Sequence, residues 1–229
     1  MIFFYFYSPM KLFVSAIEKN RYYFYAYFVF LFLLTGLLLI LGRDELFLLI
    51  NRHHGACMDL LMSYITKLGE EWSIVILLII MVFISKRYFF ASTLAYIIST
   101  IITQSLKYFI PIENLRPARY FSDKAQLNLV DGVELNHLHS FPSGHTATAF
   151  LVCTLCVLII KSQKAGILFL LIAVLVGFSR MYLNQHFPED VLGGSLIGVG
   201  VAVFVNYFWI DSKSFLDRFE SIDSAFLKL

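Results

Sequence analysis

A series of apolar runs, each close to the length that crosses a lipid bilayer, limits what this chain can fold into more than any other feature. A helical span needs about 20 mostly apolar residues, with a usable range of about 17–25. Residues 22–41, 88–106, 165–181 and 191–210 meet that requirement outright. The run 72–85 is short, so its helix is expected to begin nearer Leu61 and to carry Lys67, Glu70 and Glu71 into the headgroup layer. The run 145–160 is also short, which sets the turn before it at membrane depth. Between the first two spans, residues 42–59 are expected to form an amphipathic interfacial helix. The expected fold is therefore an all-α integral membrane protein, a six-transmembrane-helix bundle with an N-terminal interfacial segment.

Composition supports this. The 229 residues are 59% hydrophobic and 15% charged, against about 45–50% and 25% in soluble domains. A net charge of +2 gives no reason to expect a nucleic-acid partner. Neither a linker nor a composition break interrupts the chain, so one domain over 1–229 is expected. Cys153 and Cys156 lie inside an apolar run and Cys57 is left over, so the cysteines form no disulfide framework and the close pair reads as small apolar packing. The N-terminus lacks a basic start and a small-residue cleavage site, and reads as an interfacial segment leading into the first span.

With six spans, the loops after the first, third and fifth share one face. Lys11, Lys19, Arg21, Lys86, Arg87, Lys161, Lys164, Lys213, Arg218 and Lys228 fall on the other face, which the positive-inside rule assigns to the cytoplasm together with both termini.

The shared face carries three polar clusters. "KYFIPIENLRP" ends the third span at Lys107 and reaches Arg116-Pro117; "PSGH" puts Ser143, Gly144 and His145 at the start of the fourth span; "SRMYLNQHFPED" carries Ser179, Arg180, His186 and Asp190 across the turn between the last two spans. These residue types suit phosphoryl transfer. Lys107, Arg116 and Arg180 could neutralise a phosphate, the arginines in bidentate geometry. Pro142-Ser143-Gly144 opens a helix whose N–H groups and dipole favour the same anion, and Gly144 leaves room for an oxygen to approach.

His186 stands four residues before Asp190, a spacing that lets the carboxylate hold one ring nitrogen protonated while the other attacks phosphorus. His145 beside the cradle could then protonate the leaving oxygen. Each residue alone has a plainer reading, as a solvated histidine or an interfacial cation; their co-occurrence at helix boundaries of one face favours a site. His53, His54, His137 and His139 read as loop histidines, not a metal site. Glu70 and Glu71 read as solvated charges, and Arg119 as a candidate second phosphate contact.

These clusters resemble the three-part signature of the type 2 phosphatidic acid phosphatase superfamily, which includes bacterial lipid phosphatases and soluble vanadium haloperoxidases. The second and third parts agree fully, with five residues between Arg180 and His186 and three between His186 and Asp190. The first part departs: the family commonly separates the lysine from Arg-Pro by six residues, and here eight lie between Lys107 and Arg116. Either the loop bulges around Pro111 and both side chains reach the phosphate, or Lys107 is displaced and Arg116 or Arg119 carries more of the binding.

The resemblance, matched over 107–190, implies a metal-independent reaction without cofactor through a phosphohistidine, with His186 as nucleophile, Asp190 as its orienter, His145 as acid, and Lys107, Arg116, Ser143, Gly144 and Arg180 around the phosphate. Its implied substrates are lipids with a terminal phosphate or diphosphate, such as undecaprenyl diphosphate, phosphatidylglycerophosphate, phosphatidate or lipid A, and its implied setting is the bacterial inner membrane with the site on the periplasmic face. A haloperoxidase is disfavoured by the spans. A lipid-to-lipid phosphotransferase would use the same residues. A non-enzymatic transporter would need ionisable residues deep in the spans, and the first, third, fifth and sixth have almost none away from their ends. Nothing in the sequence sets the oligomeric state.

Overall fold

The computed structural model describes residues 17–110 and 114–211, and over them the regular elements are helices joined by turns and loops. In chain order these are α1 (Arg21–Asn51), α2 (Ala56–Ile65), a 3₁₀ turn (Thr66–Gly69), α3 (Glu71–Ile84), α4 (Lys86–Phe109), the short α5 (Pro117–Tyr120), α6 (Gly144–Ile160), α7 (Gln163–Tyr182) and α8 (Pro188–Val205), which ends in a π-helical segment (Asn206–Asp211). The expected interfacial segment at the N-terminus, the Pro111 bulge and the basic residues Lys11, Lys213, Arg218 and Lys228 lie outside the described residues.

Among the described residues, four helices are long and apolar enough to cross a membrane: Arg21–Asn51, Lys86–Phe109, Gln163–Tyr182 and Pro188–Trp209. They contain the first three long runs of the sequence and the fourth as far as Trp209. Their lipid-compatible faces carry large exposed side chains, Phe32 at 78% and Leu39 at 82% among them. At a rise of about 1.5 Å per residue, the 14 residues of α3 and the 17 of α6 cover roughly 21 and 25 Å, short of a hydrocarbon core of about 30 Å.

Two expectations are corrected. The helix of the 72–85 run does not begin near Leu61: the chain forms α2, tightens into a 3₁₀ turn and restarts at Glu71. The reason is packing, since a Cβ at Gly69 would lie 2.8 Å from the His145 carbonyl oxygen, so the turn sits directly on the start of α6. The 42–59 stretch is not one helix either. Its first part continues α1 past Gly42, whose φ of 76° breaks the helix as glycine readily allows, and its last part opens α2.

Helices α6 and α8 form the centre. A Cβ at Gly194 would lie 2.5 Å from the Ser143 carbonyl oxygen, and one at Gly198 would lie 2.5 Å from that of Ala147, so the two backbones meet along a small-residue seam. One apolar cluster, with Tyr23, Tyr27, Phe150, Leu170 and Val199, joins the pair to α1 and α7. Another, with Ile74, Leu77, Ala95, Leu151 and Ala202, joins it to α3 and α4. Buried hydroxyls in the first are paired, Tyr23 with Thr154 Oγ1 at 2.6 Å and Tyr27 with Ser195 Oγ at 3.4 Å.

Gln163 bonds the Lys19 carbonyl and accepts from Tyr22 N, and Arg87 donates to the Trp209 carbonyl, which gathers basic termini of the helices at the end opposite α6's N-terminus.

Candidate active site

The N-terminus of α6 is hung from the start of α8. Ser143 N donates to the Asp190 carbonyl at 3.0 Å, and Ser143 Oγ caps the helix by accepting from Thr146 N at 3.4 Å and Thr146 Oγ1 at 2.9 Å. Ser143 is fully buried, its hydroxyl is used at the helix start, and it is not among the residues that line the cavity that His186 lines. The N–H groups of Gly144 and His145 follow, and among the described residues neither has an acceptor in the fold. Two free donors at a helix N-terminus suit an anion.

The turn from α7 to α8 folds tightly because Gln185 N and His186 N both donate to the Arg180 carbonyl, at 3.0 and 3.2 Å. Asn184 takes the left-handed conformation there, φ 58°, which asparagine tolerates better than most side chains. Asp190 Oδ2 then accepts from Phe187 N at 2.8 Å, from the Ser140 hydroxyl, and from His186 Nδ1 at 3.3 Å. His186 and Asp190 are each 1% exposed, so the contact is dry. With Nδ1 turned to the carboxylate, Nε2 is the nitrogen left for the cavity that His186 lines. Burial, then the positive charges of Arg116, Arg180 and Lys107, hold His186 well below the ordinary imidazole range, with the Ser140 backbone opposing. That direction favours the neutral ring, which keeps a lone pair.

Arg116 is fixed before any ligand arrives. Its Nε donates to the Leu138 carbonyl at 3.0 Å, and its Nη1 to the carbonyl and side-chain oxygens of Gln185 at 3.3 and 3.0 Å. Burial lowers its pKa, with Asp190 opposing, yet a guanidinium remains charged. The segment before it is clamped to the next cluster: Asn114 exchanges side-chain bonds with the backbone of Phe141, and Leu115 bridges Leu138. Arg180 donates through Nη1 to Thr66 Oγ1 at 2.7 Å, while its Nε is buried without a partner among the described residues.

Lys107 lies within the last turn of α4, and its Nζ stands 3.9 Å from where a Gly144 Cβ would be. Lys107, Arg116, Gly144, His145, Arg180 and His186 thus line one cavity of about 550 Å³. The eight-residue spacing leaves both first-cluster cations on it. Arg119, the candidate second phosphate contact, is exposed on α5 and does not line that cavity. Among the described residues no three histidine, cysteine or carboxylate side chains converge as metal donors.

Sequence reasoning missed Ser140, Gln185 and Thr66, each a partner of a site residue, and Asn114, which clamps the segment before Arg116 to the backbone of Phe141. Ser140 and Gln185 adjoin the clusters as polar residues in buried surroundings, a usable signal. Thr66 carries none. His145 and Arg180 also line a second cavity of about 670 Å³ on the side of α2 and the 129–136 loop.

Comparison with known proteins bears on this arrangement. A family model described as "PAP2 superfamily" matches residues 87–213. The undecaprenyl-diphosphatase of Sulfolobus acidocaldarius is 30% identical over 190 residues, covering 79% of this chain and 87% of that protein. Phosphatidylglycerophosphatase B of Bacillus subtilis is 40% identical over 88 residues, 34% of this chain and 43% of that protein. The crystal structure of Aquifex aeolicus LpxE superposes with a TM-score of 0.63 at 32% identity, covering 71% of this chain and 93% of that one.

Proposed function

This chain is a membrane enzyme of the PAP2 superfamily, and from that premise we propose that it removes the terminal phosphate of a membrane lipid through a covalent phosphohistidine on His186. The observation that carries the reading is the buried 3.3 Å contact from His186 Nδ1 to Asp190 Oδ2, which leaves a neutral Nε2 beside three cations.

In the first step Nε2 attacks phosphorus, the N–P bond forms as the P–O bond breaks, and the electron pair leaves on the lipid oxygen. That oxygen takes a proton from His145. In the second step a water oxygen attacks the phosphohistidine, the N–P bond breaks, and His145 takes the proton that the water loses. Ester and water become lipid alcohol and inorganic phosphate, or lipid monophosphate and phosphate from a diphosphate. Lys107, Arg116, Arg180 and the N–H groups of Gly144 and His145 stabilise charge on the equatorial oxygens. Ser143 acts through the helix start that it caps. The charge of the cradle comes from these groups, and the reaction is read as metal-independent.

The names of the relatives, an undecaprenyl-diphosphatase and a phosphatidylglycerophosphatase, support a lipid carrying a terminal phosphate or diphosphate. The reading includes six membrane passes, with α3 lengthened by the 3₁₀ turn before it and α6 starting at membrane depth. It also puts the protein in a bacterial inner membrane, the site facing outward and the basic helix ends facing the cytoplasm.

The test is phosphate release by detergent-purified protein. Wild type should release phosphate from lipid phosphates in the presence of chelator and be inhibited by vanadate. His186→Ala should elute and melt as wild type does and release none; turnover near the wild-type rate would remove the covalent role.

A further inference from the structure

One wall of the catalytic cavity is the face of α4 that carries Tyr96, Ser99, Thr100, Thr103, Gln104 and Lys107. Their spacing of three and four keeps them on one side of the helix. From Lys107 this polar face runs roughly 16 Å toward the middle of an otherwise apolar helix. A hydroxyl in such a helix is ordinarily satisfied by the carbonyl one turn earlier, and Thr93 of α4 does this, Oγ1 to the Phe89 carbonyl at 2.9 Å. Thr103 does not. It is 4% exposed, and its Oγ1 has no partner among the described residues. Ser99, 3% exposed, lies one turn further along the same wall. A buried unpaired hydroxyl is costly, so this wall is suited to a polar ligand.

The chemistry of that ligand follows from charge. The cations lining the cavity, Lys107, Arg116 and Arg180, all stand at the phosphate cradle, and the other formal charges on its lining are the carboxylates Glu70 and Glu71. Along the α4 wall beyond Lys107, a second phosphate would meet the neutral side chains of Gln104, Thr103, Thr100, Ser99 and Tyr96, with no further cation on the lining. Hydroxyl groups would meet partners of both kinds, since Ser, Thr, Tyr and Gln donate and accept and a carboxylate accepts.

We infer that this face of α4 binds the part of the substrate beyond the scissile phosphate and selects a phosphate monoester on a hydroxyl-bearing headgroup, such as a lipid-anchored sugar, over a lipid diphosphate. The inference rests on the phosphatase reading and deepens it by naming the substrate class. The experiment compares kcat/KM for three probes: diacylglucosamine 1-phosphate, phosphatidate of matched acyl chains, and a polyprenyl diphosphate. Wild type should prefer the sugar phosphate to the diphosphate by at least about tenfold. In Thr103→Val and in Thr103→Val/Gln104→Leu the ratio of sugar phosphate to phosphatidate should fall about tenfold, the worth of a hydrogen bond or two. Taking the ratio within each variant removes any loss from misfolding, and Ser99→Ala supplies a second, milder probe of the wall. A ratio that stays within about twofold of wild type in all three variants, or a wild type that prefers the diphosphate, would overturn the inference while leaving the phosphatase intact. Release from none of the probes would overturn the phosphatase reading and this inference with it.

Discussion

His186 and the cations around it are held in different ways. His186 and Asp190 belong to a region where backbone touches backbone: Ser143 N bonds the Asp190 carbonyl, and Gly194 brings α8 against the Ser143 carbonyl. The cations of the first cluster reach the cavity on long side chains, although the backbone at Arg116 is itself bonded, its N–H to the His137 carbonyl. Lys107 projects from α4, a helix much less buried than α8, and Arg116 is set by Asn114, Leu138 and Gln185. Attachment by backbone is intolerant of a single methyl group, because a packed carbonyl has nowhere to move. Attachment by long side chains absorbs displacement in the chain, which is how Lys107 and Arg116 come to line one cavity across eight intervening residues.

The contrast is sharpest at Gly194. Gly194→Leu would drive its side chain into the Ser143 carbonyl and Thr146, and should cost several kcal/mol of stability, about 3 or more, by overpacking. Loss of the folded species in detergent, together with all phosphate release, is the expected result. A variant as stable and active as wild type would mean that the seam is not rigid.

Next in size is Lys107→Ala, expected to remove about 2–4 kcal/mol of transition-state stabilisation, measured as kcat/KM. Arg119→Ala, exposed and off the cavity, should stay within about 0.5 kcal/mol of wild type. If the magnitudes were reversed, the longer spacing would have displaced the lysine after all, and the side-chain region would be organised around a different cation.

Ser140→Ala should lower kcat/KM by about tenfold, since it removes one charge-assisted bond to Asp190 while the Phe187 N–H bond remains. Ser140→Thr should recover most of the loss. If Ser140→Thr is no better than Ser140→Ala, packing and not the hydroxyl is what Asp190 needs.

The smallest expected effect is one of pH. In the folded chain His186 stays neutral well below pH 6.5, whereas in the unfolded chain it protonates near about 6.5. The folded state then binds fewer protons, so this group makes folding less favourable as pH falls through that value and contributes no such penalty above it. Nitrogen-15 NMR of histidine-labelled protein should find the His186 ring neutral at pH 6; a midpoint near 6.5 would mean that water reaches it.

Much of the site is local in the chain and could be read there. The four long spans are stretches of hydropathy, a property that each segment carries by itself. His186 and Asp190 sit four apart across a helix start, so their contact needs only that α8 begin at Pro188. The helix opened at Gly144 is likewise announced by the proline, serine and glycine before and at its start. An all-helical membrane fold and the contact of His186 with Asp190 were therefore legible.

What only the tertiary structure decided involves residues far apart in the chain. Whether Lys107 reaches Gly144, whether Arg119 does, and that Ser143 spends its hydroxyl on Thr146 depend on how α4, α5 and α6 meet. The break before α3 follows from Gly69 meeting His145, which is distant in sequence. Thr66 on Arg180 and the polar wall of α4 are of the same kind. Hydropathy and spacing along a chain record what each segment prefers. The backbone contacts between α6 and α8, and the side chains that reach in beside them, exist only once those segments are packed.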